Sequence, residues 1–185
     1  MTRPSPPDDL LRHARVAAGT TNVRQSVRDL SLHALESHLL TLEHVATVAR
    51  TVGEGIESAR AGQGPEPRHA RGDAWAGLEE AIGAALLALE CAARDLARAG
   101  PCHTRAELDA LRGAAGALVA ELAMRWQPGA PLPGAMAKRT AAIVANLAGA
   151  IPCAGAAQAG AETDLSLRAR EHFLAVRGKR ISGAR

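Results

Sequence analysis

Aromatic side chains are nearly missing from this 185-residue chain. There is no tyrosine, one phenylalanine (Phe173) and two tryptophans (Trp75 and Trp126), 2% in all, although 47% of the residues are hydrophobic. The apolar content is therefore mostly Ala, Leu and Val. A β-sandwich or barrel draws on aromatic and β-branched residues, so their scarcity argues for an all-α chain. Lysine is also rare, present only at Lys138 and Lys179, and the arginines are dispersed. A net charge of +3 without stacking aromatics is no nucleic-acid footprint, and nucleic acid is not an expected partner. The three cysteines (Cys91, Cys102, Cys153) form no CxxC pair and are odd in number, which excludes a paired disulfide framework and fits a reducing cytosol. Long apolar runs are absent too: AIGAALLALECAA is short of the roughly 18 residues a spanning helix needs. The start, MTRPSPPDDL, lacks the apolar core of a signal peptide. These absences lead us to expect a soluble, cytoplasmic protein with no transmembrane segment.

What is present is helical periodicity. Residues 1–7 read as a Pro-rich disordered tail. Asp8 and Asp9 can cap a short helix ending at Gly19, and Thr20, Thr21 and Asn22 offer a second cap. Arg60–Asp73, RAGQGPEPRHARGD, reads as a linker over 60–72, closed by Asp73 as the N-cap of a long helix. That helix carries Trp75, Leu78, Ile82, Leu86, Leu89, Ala93 and Leu96 on one face, and Gly100-Pro101 ends it. Gly83 weakens its interior by about 1 kcal/mol but suits close packing. Thr104 and Glu107 form a capping box, followed by Leu108, Leu111, Ala115, Leu118, Leu122 and Trp126 at helical spacing. PGAPLPG reads as a rigid turn. Met136, Thr140, Ile143, Leu147 and Ile151 make a further stripe. A last helix is expected from Thr163 to Gly178, with a basic tail over 179–185. Stripes of this kind are marginal alone and must bury one another. The expectation is an antiparallel bundle of about five to seven helices: an N-terminal segment over 8–59 with a break near 39–41, and a bundle over 73–178. The last helices are poor in large apolar residues, so the C-terminal third is expected either to pack loosely or to need a partner.

The stretch SLHALESHLLTLEHVATVAR, Ser31–Arg50, raises a metal site. Helical ligands must share a face at a spacing of three or four residues. In one continuous helix His33 and His44 share an azimuth but lie about 16 Å apart along the axis. His38 points the other way, and only His33 and Glu36 are close enough to share an ion. Thr41 before Leu42-Glu43 suggests a break instead, with a hydroxyl N-cap and an acid in the first turn of a new helix. Leu42, Val45, Ala46, Ala49, Val52 and Ile56 give that helix its own stripe. A metal site then requires His33, Glu36 or His38 to meet Cys102, His103 or His172 from another helix.

Other chemistry is thinly marked. Cys102-His103 follows Pro101 between two helices, where a thiolate can be activated, but no third group or oxyanion donor stands near it in sequence. HExxH, GxSxG, P-loop and GxGxxG patterns are missing. No catalytic residue and no cofactor is expected.

The segment VRDLSLHALESHLLTLEHVATVARTVGEGI, followed by an acidic-capped Ala-rich helix, resembles an uncharacterised bacterial family classed as a domain of unknown function. The matching positions are Val27-Arg28-Asp29-Leu30, Ala34-Leu35, Val48-Ala49-Arg50-Thr51-Val52 and Glu54-Gly55. AKRTAAIVANLAG from Ala137 is similar to a later family segment. The resemblance implies an Ala-rich, all-helical protein with a turn and helix cap before Thr41, and it implies no catalytic residues. His33, His38 and His44 match no family position. Such proteins are similar in texture to phasins, amphipathic helical proteins that coat polyester storage granules. The first functional expectation is thus a non-enzymatic protein acting through helix faces, self-associating or coating a hydrophobic granule, lipid or protein surface. The second is a metal-binding bundle, and the third a nucleic-acid or adaptor role through the Arg-rich termini.

Overall fold

The computed structural model describes residues 6–61, 68–99, 105–125, 132–148 and 161–182. All regular structure among them is α-helix: α1 (Pro6–Ala18), α2 (Val23–Glu36), α3 (Leu42–Ala61), α4 (Arg68–Ala99), α5 (Arg105–Arg125), α6 (Leu132–Ala148) and α7 (Ala161–Ser182). The fold is all-α. It gathers into two compact units, one from the residues up to His38 with Ala46–Ile82, the other from Leu39–Val45 with the residues from Gly83 onward. Among the described residues no helix is long and apolar enough to cross a membrane.

In the first unit α1 packs on α2. The α1 helix starts at Pro6, ahead of the cap expected at Asp8 and Asp9, and both aspartates sit in its first turn. Proline suits that place because its missing N–H would have no helical partner, and the aspartates face the exposed N–H groups. Val27, Leu35, Val48, Val52, Ile56, Leu78 and Ile82 are buried, and Val52, Ile56, Leu78 and Ile82 belong to the stripes expected from the sequence. Buried Ser31 donates to the Val27 carbonyl at 2.7 Å, so its hydroxyl has a partner.

Two glycines in this unit mark close approaches. A Cβ at Gly55 would lie 2.4 Å from Ala14 Cβ, and one at Gly77 would lie 2.2 Å from the Arg24 carbonyl oxygen. Gly77 thus lets α4 lie directly on the α2 backbone. Beside that crossing Glu80 receives Arg24 Nε at 2.8 Å, and Arg28 Nε stands 3.4 Å from its other oxygen. Arg24 and Arg28 share a face at i, i+4, so one carboxylate serves both. The hydrogen bond to Glu80, then its charge, pushes the Arg24 pKa up.

The α4 helix begins at Arg68, five residues before the expected cap at Asp73. One helical glycine, Gly72, costs only about 1 kcal/mol, too little to stop propagation. The early turn is also anchored: Arg71 Nη2 and Trp75 Nε1 donate to the same Glu57 oxygen, at 2.9 and 3.2 Å. Residues 62–67 of the expected linker and 1–5 of the expected tail lie outside the described residues.

The second unit opens on a capped turn. The chain leaves α2 at Glu36, the Thr41 N–H donates to the Leu39 carbonyl at 3.0 Å, and Thr41 Oγ1 accepts the His44 N–H at 3.0 Å. Leu86, Leu89, Ala92, Ala93 and Leu96 of α4 are buried here, as are Leu111, Ala115 and Leu118 of α5. The α5 and α6 helices pack together, and Met136, Thr140 and Ile143 turn inward from α6. Glu90 is held by Arg94 at 2.9 Å and by Arg139 of α6 at 3.0 Å. Asp95 is 2.8 Å from His172 Nε2, which ties α7 to α4.

Three sequence expectations are corrected in this unit. Nothing stands within 4 Å of a Cβ at Gly83, so that glycine makes no close approach among the described residues. The α6 helix takes in Leu132-Pro133-Gly134, the second part of the expected rigid turn, because proline loses no helix bond in a first turn. The α7 helix runs from Ala161 to Ser182, through Gly178 and into the expected tail, since one glycine does not end a helix. The capping residue Thr104, Trp126 and residues 149–160 lie outside the described residues.

Candidate functional site

The histidine-rich stretch does not assemble a centre. His33 is exposed in the last turn of α2, Glu36 is the final residue of that helix, and His38 is exposed in the turn beyond it. Ser37 closes the helix, its N–H on the His33 carbonyl and its hydroxyl on the Ala34 carbonyl at 2.7 Å. The stretch is a helix end, a turn and a fresh start: His33 and Glu36 share the last turn of α2, and His38 belongs to the turn beyond it. His172 is on α7, committed to Asp95. Cys102 and His103 lie outside the described residues. Among the described residues no group of three or more His, Cys, Asp or Glu is placed to hold a metal ion.

At the start of α3 an open cavity of about 160 Å³ has Leu40, Leu42, Glu43, Leu111 and Leu165 among its lining residues. Sites for drug-sized ligands run to roughly 300 Å³ or more. This one is a gap between packed leucines.

The feature that packing leaves unexplained is the outer side of α7. Leu165, Ser166, Ala169 and Phe173 are buried on its inner side. Leu167 and Leu174 are 46% and 48% exposed. At 100° per residue their azimuths differ by only about 20°, and they lie about 10 Å apart along the axis. Both fall about 135° round the helix from the middle of the buried residues. Among the described residues the two other large exposed apolar ones, Val16 and Leu39, stand singly on other elements, and single exposed apolar residues are ordinary. Arg170 and Glu171, both exposed, occupy the turn between the leucines. They project about 50° to either side of the leucine line, one cation and one anion. Among the described residues neither is in an ion pair.

The sequence shows the last helices to be poor in large apolar residues, but nothing in it singles out Leu167 and Leu174. The signal was their seven-residue spacing, which reads as a helical stripe only once the inner face is known to lie elsewhere.

A model of a family of unknown function (DUF6781) matches residues 7–120, more than half of the chain. No curated protein and no solved structure matches it. The match takes in α1 to α4 and most of α5, and α7 lies beyond it.

Proposed function

Because the chain belongs to that family of unknown function, the family lends it no activity, and we propose that it is a non-enzymatic interaction protein acting through an apolar helix face. One observation carries the reading: α7 is apolar on a second side as well as on its buried one. A helix that only completes its own unit needs one stripe and exposes a polar back. Here the back holds Leu167 and Leu174 in line, each about half exposed. Covering such a pair removes apolar area from water, at about 25 cal/mol per Å². The polar residues beside them would form the rim of the contact.

The test is a double substitution, Leu167→Glu with Leu174→Glu, which leaves the inner face of α7 intact. Sedimentation would follow self-association, and flotation with phospholipid-coated oil droplets would follow surface coating. The expected result is that the natural chain associates in at least one assay and the variant, with an unchanged helical spectrum, does not. A chain that neither self-associates nor floats, or a variant that behaves like the natural chain, would overturn the reading.

A further inference from the structure

Resting on the reading above, we propose that the occupant of the outer face of α7 is a second copy of the same helix, aligned parallel about a two-fold axis. The argument is the charge pattern around the leucine line. Arg170 flanks it on one side and Glu171 on the other, at nearly equal angles and only one residue apart in height.

Two copies of a helix can meet face to face in two symmetric ways. A two-fold axis parallel to the helices exchanges left and right flanks and keeps heights. Arg170 of each copy then stands beside Glu171 of the other, twice, and Leu167 meets Leu167 while Leu174 meets Leu174. A two-fold axis perpendicular to both helices reverses direction but keeps each flank on its own side. That arrangement sets Arg170 beside Arg170 and Glu171 beside Glu171. Flanking charges select partner and direction in paired helices by this logic, and like charges across a contact act as the repulsive element. The pattern is self-complementary in the parallel pairing and self-repelling in the antiparallel one. A contact built on two leucine layers is small beside standard interfaces, so the pairing is concentration-dependent.

The direct test is cross-linking. Leu174→Cys is placed in a full-length chain whose Cys91, Cys102 and Cys153 are replaced by alanine, and the protein is oxidised near the concentration at which it associates. Parallel pairing brings the two introduced thiols together and yields a disulfide dimer. Antiparallel pairing about the same turn keeps them about 10 Å or more apart along the axis and yields none. A charge test runs beside it. Arg170→Glu alone and Glu171→Arg alone should each weaken self-association on the order of tenfold, and mixing the two variants should restore it. A dimer that resists both charge changes, or an uncross-linked one, overturns the proposal. So does a chain that stays monomeric while its leucines still govern droplet binding, and in that case the broader reading survives. If the leucines govern nothing, both fall.

Discussion

Replacing Gly77 by alanine should destabilise the protein by about 2 kcal/mol, although alanine is the better helix former. The new methyl group would stand 2.2 Å from the Arg24 carbonyl oxygen and 3.1 Å from Arg24 C and Arg28 N. All three obstacles are backbone, so no rotamer change relieves them. Non-bonded heavy atoms settle near 3.5 Å, and α4 would have to withdraw from α2 by roughly 1 Å. A gap of that size forfeits up to about half of the dispersion well for each facing atom pair. Overpacking typically costs about 1–3 kcal/mol, and an immovable obstacle belongs at the upper end. Removing a helical glycine returns about 1 kcal/mol. Gly83 is the control on the same helix: among the described residues a Cβ there meets nothing within 4 Å, so Gly83→Ala should stabilise by up to about 1 kcal/mol. Thermal unfolding followed by far-ultraviolet circular dichroism reads both. At roughly 2–4 °C per kcal/mol for a chain of this length, Gly77→Ala should lower the midpoint by roughly 4–8 °C and Gly83→Ala should raise it. If Gly77→Ala melts at or above the natural chain, the close crossing is wrong.

Other substitutions probe other contacts. Thr41→Ala removes the hydroxyl that accepts the His44 N–H and should cost about 1 kcal/mol in urea unfolding, whereas Thr41→Ser should cost much less. Glu57→Ala takes the shared acceptor from Arg71 and Trp75, and in a Trp126→Phe background it should change tryptophan emission with a loss of about 1 kcal/mol. Leu118 is fully buried, and Leu118→Ala should cost about 2–5 kcal/mol; a smaller loss would mean the second unit repacks freely. Asp95→Asn weakens half-exposed contacts to His172 and Arg98 and should shift stability by less than about 1 kcal/mol.

The helices from α3 to α6 were legible because each carries a stripe that a 3.6-residue period explains. The residues from Leu78 to Leu96 read as one face and are buried as one face. Thr41 was legible for the same local reason, a hydroxyl three residues before an N–H that needs it. Helix ends were less so, since Pro6, Gly72 and Gly178 each look like a stop and none is strong enough to be one. What could not be read was anything set by a distant backbone. Gly77 and Gly83 are alike in sequence, yet one lies against Arg24 and the other against nothing among the described residues. Glu57, Glu80 and Glu90 reach arginines on other helices that no local spacing reveals. The outer leucines of α7 were hidden likewise, because an apolar residue in a helix is taken to face inward until the inner face is located.

The contact of Gly55 with Ala14 has a bearing on the chain's relatives. Both residues fall within the stretch shared with the family, and a Cβ at 55 would sit 2.4 Å from the Ala14 methyl carbon. The two positions therefore have room for one methyl group between them. The Leu11 carbonyl, 3.2 Å from the same point, leaves little slack to move it. Across related sequences the pair should vary as a unit, with alanine at 55 appearing where glycine stands at 14. A relative with larger residues at both positions must bring its first and third helices together along a different line.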